Sequence, residues 1–285
     1  MTSTVTLQVF SGLPNPTWQL TPQQDDELSQ RLAAADAVTS TRPSGVLGGL
    51  GYRGFSISRA ADHAQGPMTL HVHEGVIDRG FLQPNVTDPV LETWLAGTGA
   101  NAVHPDVQSY VASRIALKAS EPFTHGLAAP AHCPQNHAHD APPYQPGKWN
   151  IPTVQPYNNC YNYANDHITN TFAQPGRAHG KQATQMACGP VETGAIADGL
   201  KPVPNFHAPL AAGHGWYVAL VIWPNVDYHW YRQDNVGCWS HKPGSTAARN
   251  WDNANQPISD PKTCNRGPYT VFCTYMVTTR HVVIR

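Results

Sequence analysis

The sequence predicts an α+β fold, and three observations carry that prediction. Period-two patterning at several places marks strands, while apolar i, i+4 spacing elsewhere marks helices. In the second half a helical segment comes first and a meander of strands follows. Proline and glycine are abundant, at 26 and 23 of 285 residues, so the elements must be short and joined by fixed turns. At this length two domains are expected, each large enough for its own core.

Residues 5–10, VTLQVF, alternate in character and are predicted as a strand, followed by a proline-set turn in SGLPNPTW. Thr21 before Pro22 is an N-cap and N1 pair, Asp25, Asp26 and Glu27 suit the first turns, and Leu28 and Leu32 share a face. A helix is therefore predicted to about Ala35. After the glycines at 45, 48, 49 and 51, YRGFSIS and MTLHVHEGVI read as paired antiparallel strands. Helices around Val90–Leu95 and Asp106–Leu117 complete a small α+β domain over 1–119.

Residues 120–148 are rich in Pro, His, Ala and Asn without apolar periodicity, and read as a linker or long loop. The second domain is set at 149–285. Its helices are predicted at Cys160–Asn170 and Met186–Asp198, and its strands at Trp216–Trp223, Tyr228–Asp234, Cys238–His241 and Tyr269–Val277.

Hydrophobic residues make up 40% and charged residues 13%, and the mean hydropathy is −0.40. With a formal net charge of −1 there is no field to gather phosphate backbones or an anionic membrane, so neither nucleic acid nor a membrane is expected as partner. The first ten residues do not pattern as a secretory signal, and no apolar run approaches the roughly 18 residues that span a bilayer. A cytoplasmic location is the default expectation, with export only by a non-classical route. The six cysteines form no CxxC pair, and mostly reduced thiols are expected.

Asn158 and Asn159 are good caps immediately before Cys160, so the thiol is expected at a helix start. There the helix dipole would lower its pKa and backbone N–H groups would hold an oxyanion. On the predicted strand 228–234, His229 shares a face with Tyr231 and Gln233; a tight turn then brings His241 alongside to orient the His229 ring. Cys160, His229 and His241 are thus the candidate triad, with Asp227 and Asp234 as rival orienting groups. Asn159 is a candidate oxyanion donor as well as a cap, and Tyr231 and Gln233 are candidates to line a substrate groove.

This order of helix-start cysteine, strand histidine and second histidine twelve positions on resembles the NlpC-type branch of papain-like peptidases, and NCYNYA resembles the cysteine helix of amidase domains in cell-wall lytic enzymes. The same segments also resemble pieces of uncharacterised bacterial proteins. The resemblance covers residues 150–245 and implies a papain-like domain. It implies a hydrolase or transferase acting on a peptide or peptidoglycan-like amide, through a thioester on Cys160 with His229 as base and His241 orienting it, and without a cofactor.

Two rival readings come from other classes. The aromatic stretch from Trp216 to Trp239 could serve a non-catalytic glycan- or peptide-binding module. His125, His132, Cys133, His137 and His139 in the Pro/His-rich loop, with Asp140 beside them, could bind zinc or copper. His71, His73 and Glu74 are a weaker grouping of the same kind. The sequence leaves the oligomeric state open.

Overall fold

The computed structural model describes residues 2–37, 49–59, 68–79, 85–118 and 133–285. The chain forms two compact units and is of the α+β class. The first comprises Met1–Val9, Asn15–Leu47 and Tyr52–His125, and the second Phe10–Pro14, Gly48–Gly51 and Gly126–Arg285. Two short pieces of the amino-terminal half therefore belong to the second unit.

In the first unit the elements run β1 (Ser3–Leu7), β2 (Thr17–Gln19), α1 (Pro22–Ala34), β3 (Asp36–Ala37), β4 (Phe55–Arg59), β5 (Met68–His73), β6 (Val76–Asp78), β7 (Val86–Thr87), α2 (Leu91–Thr98) and α3 (Pro105–Lys118). The strands form an antiparallel sheet in the order β2-β1-β4-β5-β6-β7-β3. Alternation in β1 buries Val5 and Leu7 beside Phe55, Ile57, Leu70 and Val72 of the same sheet. Helix α1 starts with a capping box, Thr21 and Gln24 each accepting the other's backbone N–H. The segment MTLHVHEGVI is a hairpin where one strand was expected. Glu74 and Gly75 take φ of 54° and 72°, the left-handed pair of a two-residue hairpin turn that returns the chain as β6.

In the second unit come α4 (Pro146–Trp149), α5 (Cys160–Ala164), α6 (Cys188–Ala197), β8 (Lys201–Val203), β9 (Trp216–Trp223), β10 (Asp227–Gln233), β11 (Trp239–His241) and β12 (Val271–Thr278). Their antiparallel sheet has the order β11-β10-β9-β12-β8. The run WYVALVIW is apolar throughout because β9 is central and buried from Trp216 to Ile222, with Trp223 half-buried at its end. Helix α5 packs on β10 and α6 on β9. Residues 133–148, read from sequence as part of a linker or loop, carry a bridge from Ala138 to Leu210 and a disulfide from Cys133 to Cys238. A second disulfide joins Cys188 to Cys273, leaving Cys160 and Cys264 free. The expectation of mostly reduced thiols is corrected: four of the six cysteines are paired.

Candidate functional site

Helix α5 is held by asparagines. Asn159 caps it, its Oδ1 accepting from the N–H groups of Tyr161 (3.0 Å) and Asn162 (3.1 Å), while its Nδ2 donates to the carbonyls of Gly12 and Ala173, both at 2.8 Å. All four hydrogen-bonding positions of that amide are filled, so it has no donor left for an oxyanion. Asn162 accepts from the N–H of Asn159 and Ala173 and donates to the His167 carbonyl and Thr169 Oγ1. These bonds draw the chain back after one turn, and the helix expected to reach Asn170 ends at Ala164.

The two histidines meet as the strand register dictates. Tyr231 is paired with His241 across β10 and β11, so His229 lies diagonal to His241 on the same face. His229 Nε2 and His241 Nδ1 are 2.9 Å apart, and His241 Nε2 is 3.0 Å from the Trp251 carbonyl. His229 Nδ1 makes a short contact with the hydroxyl of Ser11. The Cys160 thiol hydrogen-bonds to the Ser11 side chain and to the Trp230 backbone.

With both rings neutral, these contacts fix the protons. The Trp251 carbonyl only accepts, so His241 carries its hydrogen on Nε2 and accepts at Nδ1 from His229 Nε2–H. His229 Nδ1 then accepts the Ser11 hydroxyl hydrogen. The result is one directed chain of hydrogen bonds from the Ser11 hydroxyl to the Trp251 carbonyl, beside the Cys160 thiol, in which His229 turns one nitrogen to Ser11 and the other to His241.

Burial decides what this constellation can do. Ser11, Cys160, His229 and His241 each have 0% exposure. Burial pushes the Cys160 thiol up to about 12, and the negative Asp227 adds to the rise. The expected lowering at a helix start does not occur. A five-residue helix inside the core offers little dipole against the cost of a buried thiolate.

The rival orienting groups have other partners. Asp227 accepts from the N–H groups of Ser11 (2.5 Å), Gly12 (3.2 Å) and Leu13 (2.9 Å) and from the Tyr269 hydroxyl (2.6 Å). Burial outweighs these donors and raises its pKa. Asp234 is paired with the buried Arg232 at 3.0 Å. Tyr231 stacks on the His241 ring at 4.9 Å and Gln233 donates to the Gly237 carbonyl. Strand β10 is buried at every residue, so the groove expected on its His229, Tyr231 and Gln233 face does not exist. The same burial takes Trp216, Tyr217, Tyr228, Trp230, Tyr231 and Trp239 into the core, and among the aromatic side chains from Trp216 to Trp239 only Trp223 is half-buried.

Of the metal candidates, His125 and His132 lie outside the described residues. Cys133 is spent on its disulfide, and His137 and His139 stand in the segment that bridges to Leu210. His71 bonds to Ser56 Oγ at 3.0 Å, and burial lowers its pKa. Among the described residues no group of three or more His, Cys, Asp or Glu could hold a metal ion.

Sequence reading missed two participants. Ser11 lies 218 residues from His229, within what reads as a plain turn. Lys242, fully buried, donates to the carbonyls of Gln155 (2.6 Å), Asn158 (2.5 Å) and Gly244 (2.7 Å), fastening the loop before α5.

No family model matches the chain, and no solved structure matches it. Over 133 residues it is 50% identical to insoluble matrix shell protein 1 of the mollusc Ruditapes philippinarum, an alignment covering 47% of this chain and 87% of that relative. The chain belongs to the family of that shell matrix protein. Membership corrects the resemblance to bacterial NlpC-type peptidases, and with it the expected thiol-dependent hydrolase and its peptidoglycan-like substrate. The physical reason is the burial above: residue types and spacing matched a catalytic pattern, but the side chains close on one another inside a core. A shell matrix is not a cytoplasmic setting, so that expectation is corrected too. Two disulfides agree with an oxidising environment.

Proposed function

We propose that the chain is a non-catalytic structural protein of an extracellular matrix, whose second unit is a sealed, disulfide-linked building block that associates with other matrix components. The observation that carries this reading is burial: Cys160, Ser11, His229 and His241 have no accessible surface, and the last three close on one another by hydrogen bonds. Acyl transfer needs a substrate carbon about 3–3.5 Å from the nucleophile, and a thiol at 0% exposure admits none. The shell matrix relative supports the same reading. We also place the divide between the two domains within residues 120–148.

The test is alkylation of the native protein with iodoacetamide near pH 7.5, followed by peptide mapping. Cys160 should stay unlabelled for hours and label fully once guanidinium unfolds the chain. Fast, saturable labelling of native Cys160 would overturn the proposal. In parallel, Cys160→Ala should co-sediment with an insoluble shell-matrix fraction as well as the parent does.

A further inference from the structure

Within the second unit, Ser11–Gly12–Leu13 is held the way a bound peptide is held. Three consecutive amides donate to one carboxylate, that of Asp227. The Gly12 carbonyl accepts from Asn159 Nδ2 (2.8 Å) and Gln174 Nε2 (2.9 Å), and the Tyr228 hydroxyl beside it donates to Gln174 Oε1 at 3.0 Å. The Ser11 hydroxyl meets His229. A Cβ on Gly12 would stand 2.5 Å from Tyr228 ring carbons, and that ring is buried, so the slot accepts glycine alone at its centre. These contacts read backbone and one small hydroxyl, and each comes from at least 147 residues away in sequence. Val9 and Asn15, on either side of the segment, bond to each other at 2.9 Å and close the neck of the loop, which pre-shapes it.

We propose that this slot also takes the Phe10–Pro14 segment of a second copy of the chain, so that copies link by segment exchange. The inference deepens the structural reading by naming a partner, and rests on it for the crowding a matrix supplies. Because the contacts are the same within one chain or between two, concentration sets the balance. A tethered segment competes at an effective concentration on the order of millimolar, so dilute chains fill their own slots and densely packed chains exchange. Each copy offers one segment and one slot, a head-to-tail arrangement that extends into open chains when it does not close into a ring.

Two full-length variants test this. Gly12→Val keeps the slot but blocks its own segment, and Asp227→Asn weakens the slot but keeps the segment. Each is checked for folding by thermal melting. Mixed at about 100 μM, a tenth of that effective concentration, they should form a 1:1 complex of twice the single-chain mass. Its population should be at least tenfold above that in either variant alone at the same total concentration. Two folded variants that stay monomeric on mixing overturn the proposal. If Gly12→Val does not fold, sedimentation of the native chain toward millimolar concentration decides. Oligomers that dissolve when excess synthetic Val9–Asn15 peptide is added support exchange, and a monomer throughout overturns it. A monomer whose Cys160 stays inert sinks exchange alone, whereas a reactive Cys160 sinks the non-catalytic reading whatever the mass.

Discussion

Asp227 is the most connected buried carboxylate of the second unit, and replacing it with asparagine gives a prediction whose size and pH dependence both follow from its surroundings. Its Oδ2 takes the Ser11 N–H, the Tyr269 hydroxyl and the longer Gly12 contact, while Oδ1 takes Leu13. An asparagine that keeps its oxygen on the first side turns an NH2 toward the Leu13 N–H. That orphaned amide costs about 1–3 kcal/mol, and making the remaining three bonds neutral costs about 1 kcal/mol each. Relief of the buried charge offsets part of this, since folding raises the Asp227 pKa above its ordinary 3.8. A net destabilisation of about 2–4 kcal/mol is expected, which for a unit of this size lowers Tm by about 5–15 °C. A folded-state pKa above the unfolded one means that the native state binds more protons between the two values. The Asp227 contribution is therefore fully present below about pH 4, near the unfolded carboxylate value, and is lost as pH rises through the folded pKa. Urea unfolding of parent and Asp227→Asn between pH 7.5 and 4.5 should show the parent's margin widening on acidification. A margin below about 1 kcal/mol at every pH would refute the account of the donors. A margin that narrows toward acid would mean that the four donors outweigh burial and hold the folded carboxyl below its ordinary value.

Two more predictions concern buried groups of the same core. Burial raises Cys160 from 9.0 to about 12, so its contribution to stability is complete below about pH 9 and disappears across the interval up to 12. Cys160→Ala should flatten the alkaline loss of stability by about 1.4 kcal/mol per pH unit between those limits, read from guanidinium melts at pH 8.5, 9.5 and 10.5; an unchanged slope would contradict a raised thiol. Lys242→Met leaves the carbonyls of Gln155, Asn158 and Gly244 without their shared donor, and a loss of about 3 kcal/mol is expected. Lys242→Arg should recover little of it, because a planar fork cannot reproduce three converging donors, and full recovery would count against that geometry.

What was legible in the sequence is what depends on near neighbours. Thr21 and Pro22 announce α1 because a cap and a fixed φ act within one turn. WYVALVIW announces β9 because a central strand needs apolar side chains on both faces. The placement of His241 beside His229 was legible from hairpin spacing alone. Strands of two or three residues, such as β2, β3, β7 and β8, are too short to show a period. The length of α5 was misread because Asn159 and Asn162 compete for the backbone, a matter of side-chain geometry and not of propensity. Pairings such as Cys133 with Cys238, 105 residues apart, leave no local trace. Nor does the entry of Ser11 into the core.

The misreading of the triad has a general physical cause. A catalytic site and a buried polar network draw on the same residue types, because both need side chains that donate and accept in a fixed direction. Ser11, His229 and His241 satisfy one another in sequence beside Cys160 and end on a backbone carbonyl. A hydrolase must leave one face of such a chain open and its nucleophile ionisable, and in this core both requirements fail for one reason. Helix α5 is pressed onto β10 by the asparagine, lysine and aspartate contacts around it, and the Phe10–Pro14 segment fills the remaining space with Ser11. The exposure of the thiol therefore depends on that segment. In copies linked by segment exchange, every slot that holds a neighbour's Ser11 keeps its thiol sealed as it is in the single chain, and the terminal slot of an open chain is the one left unfilled.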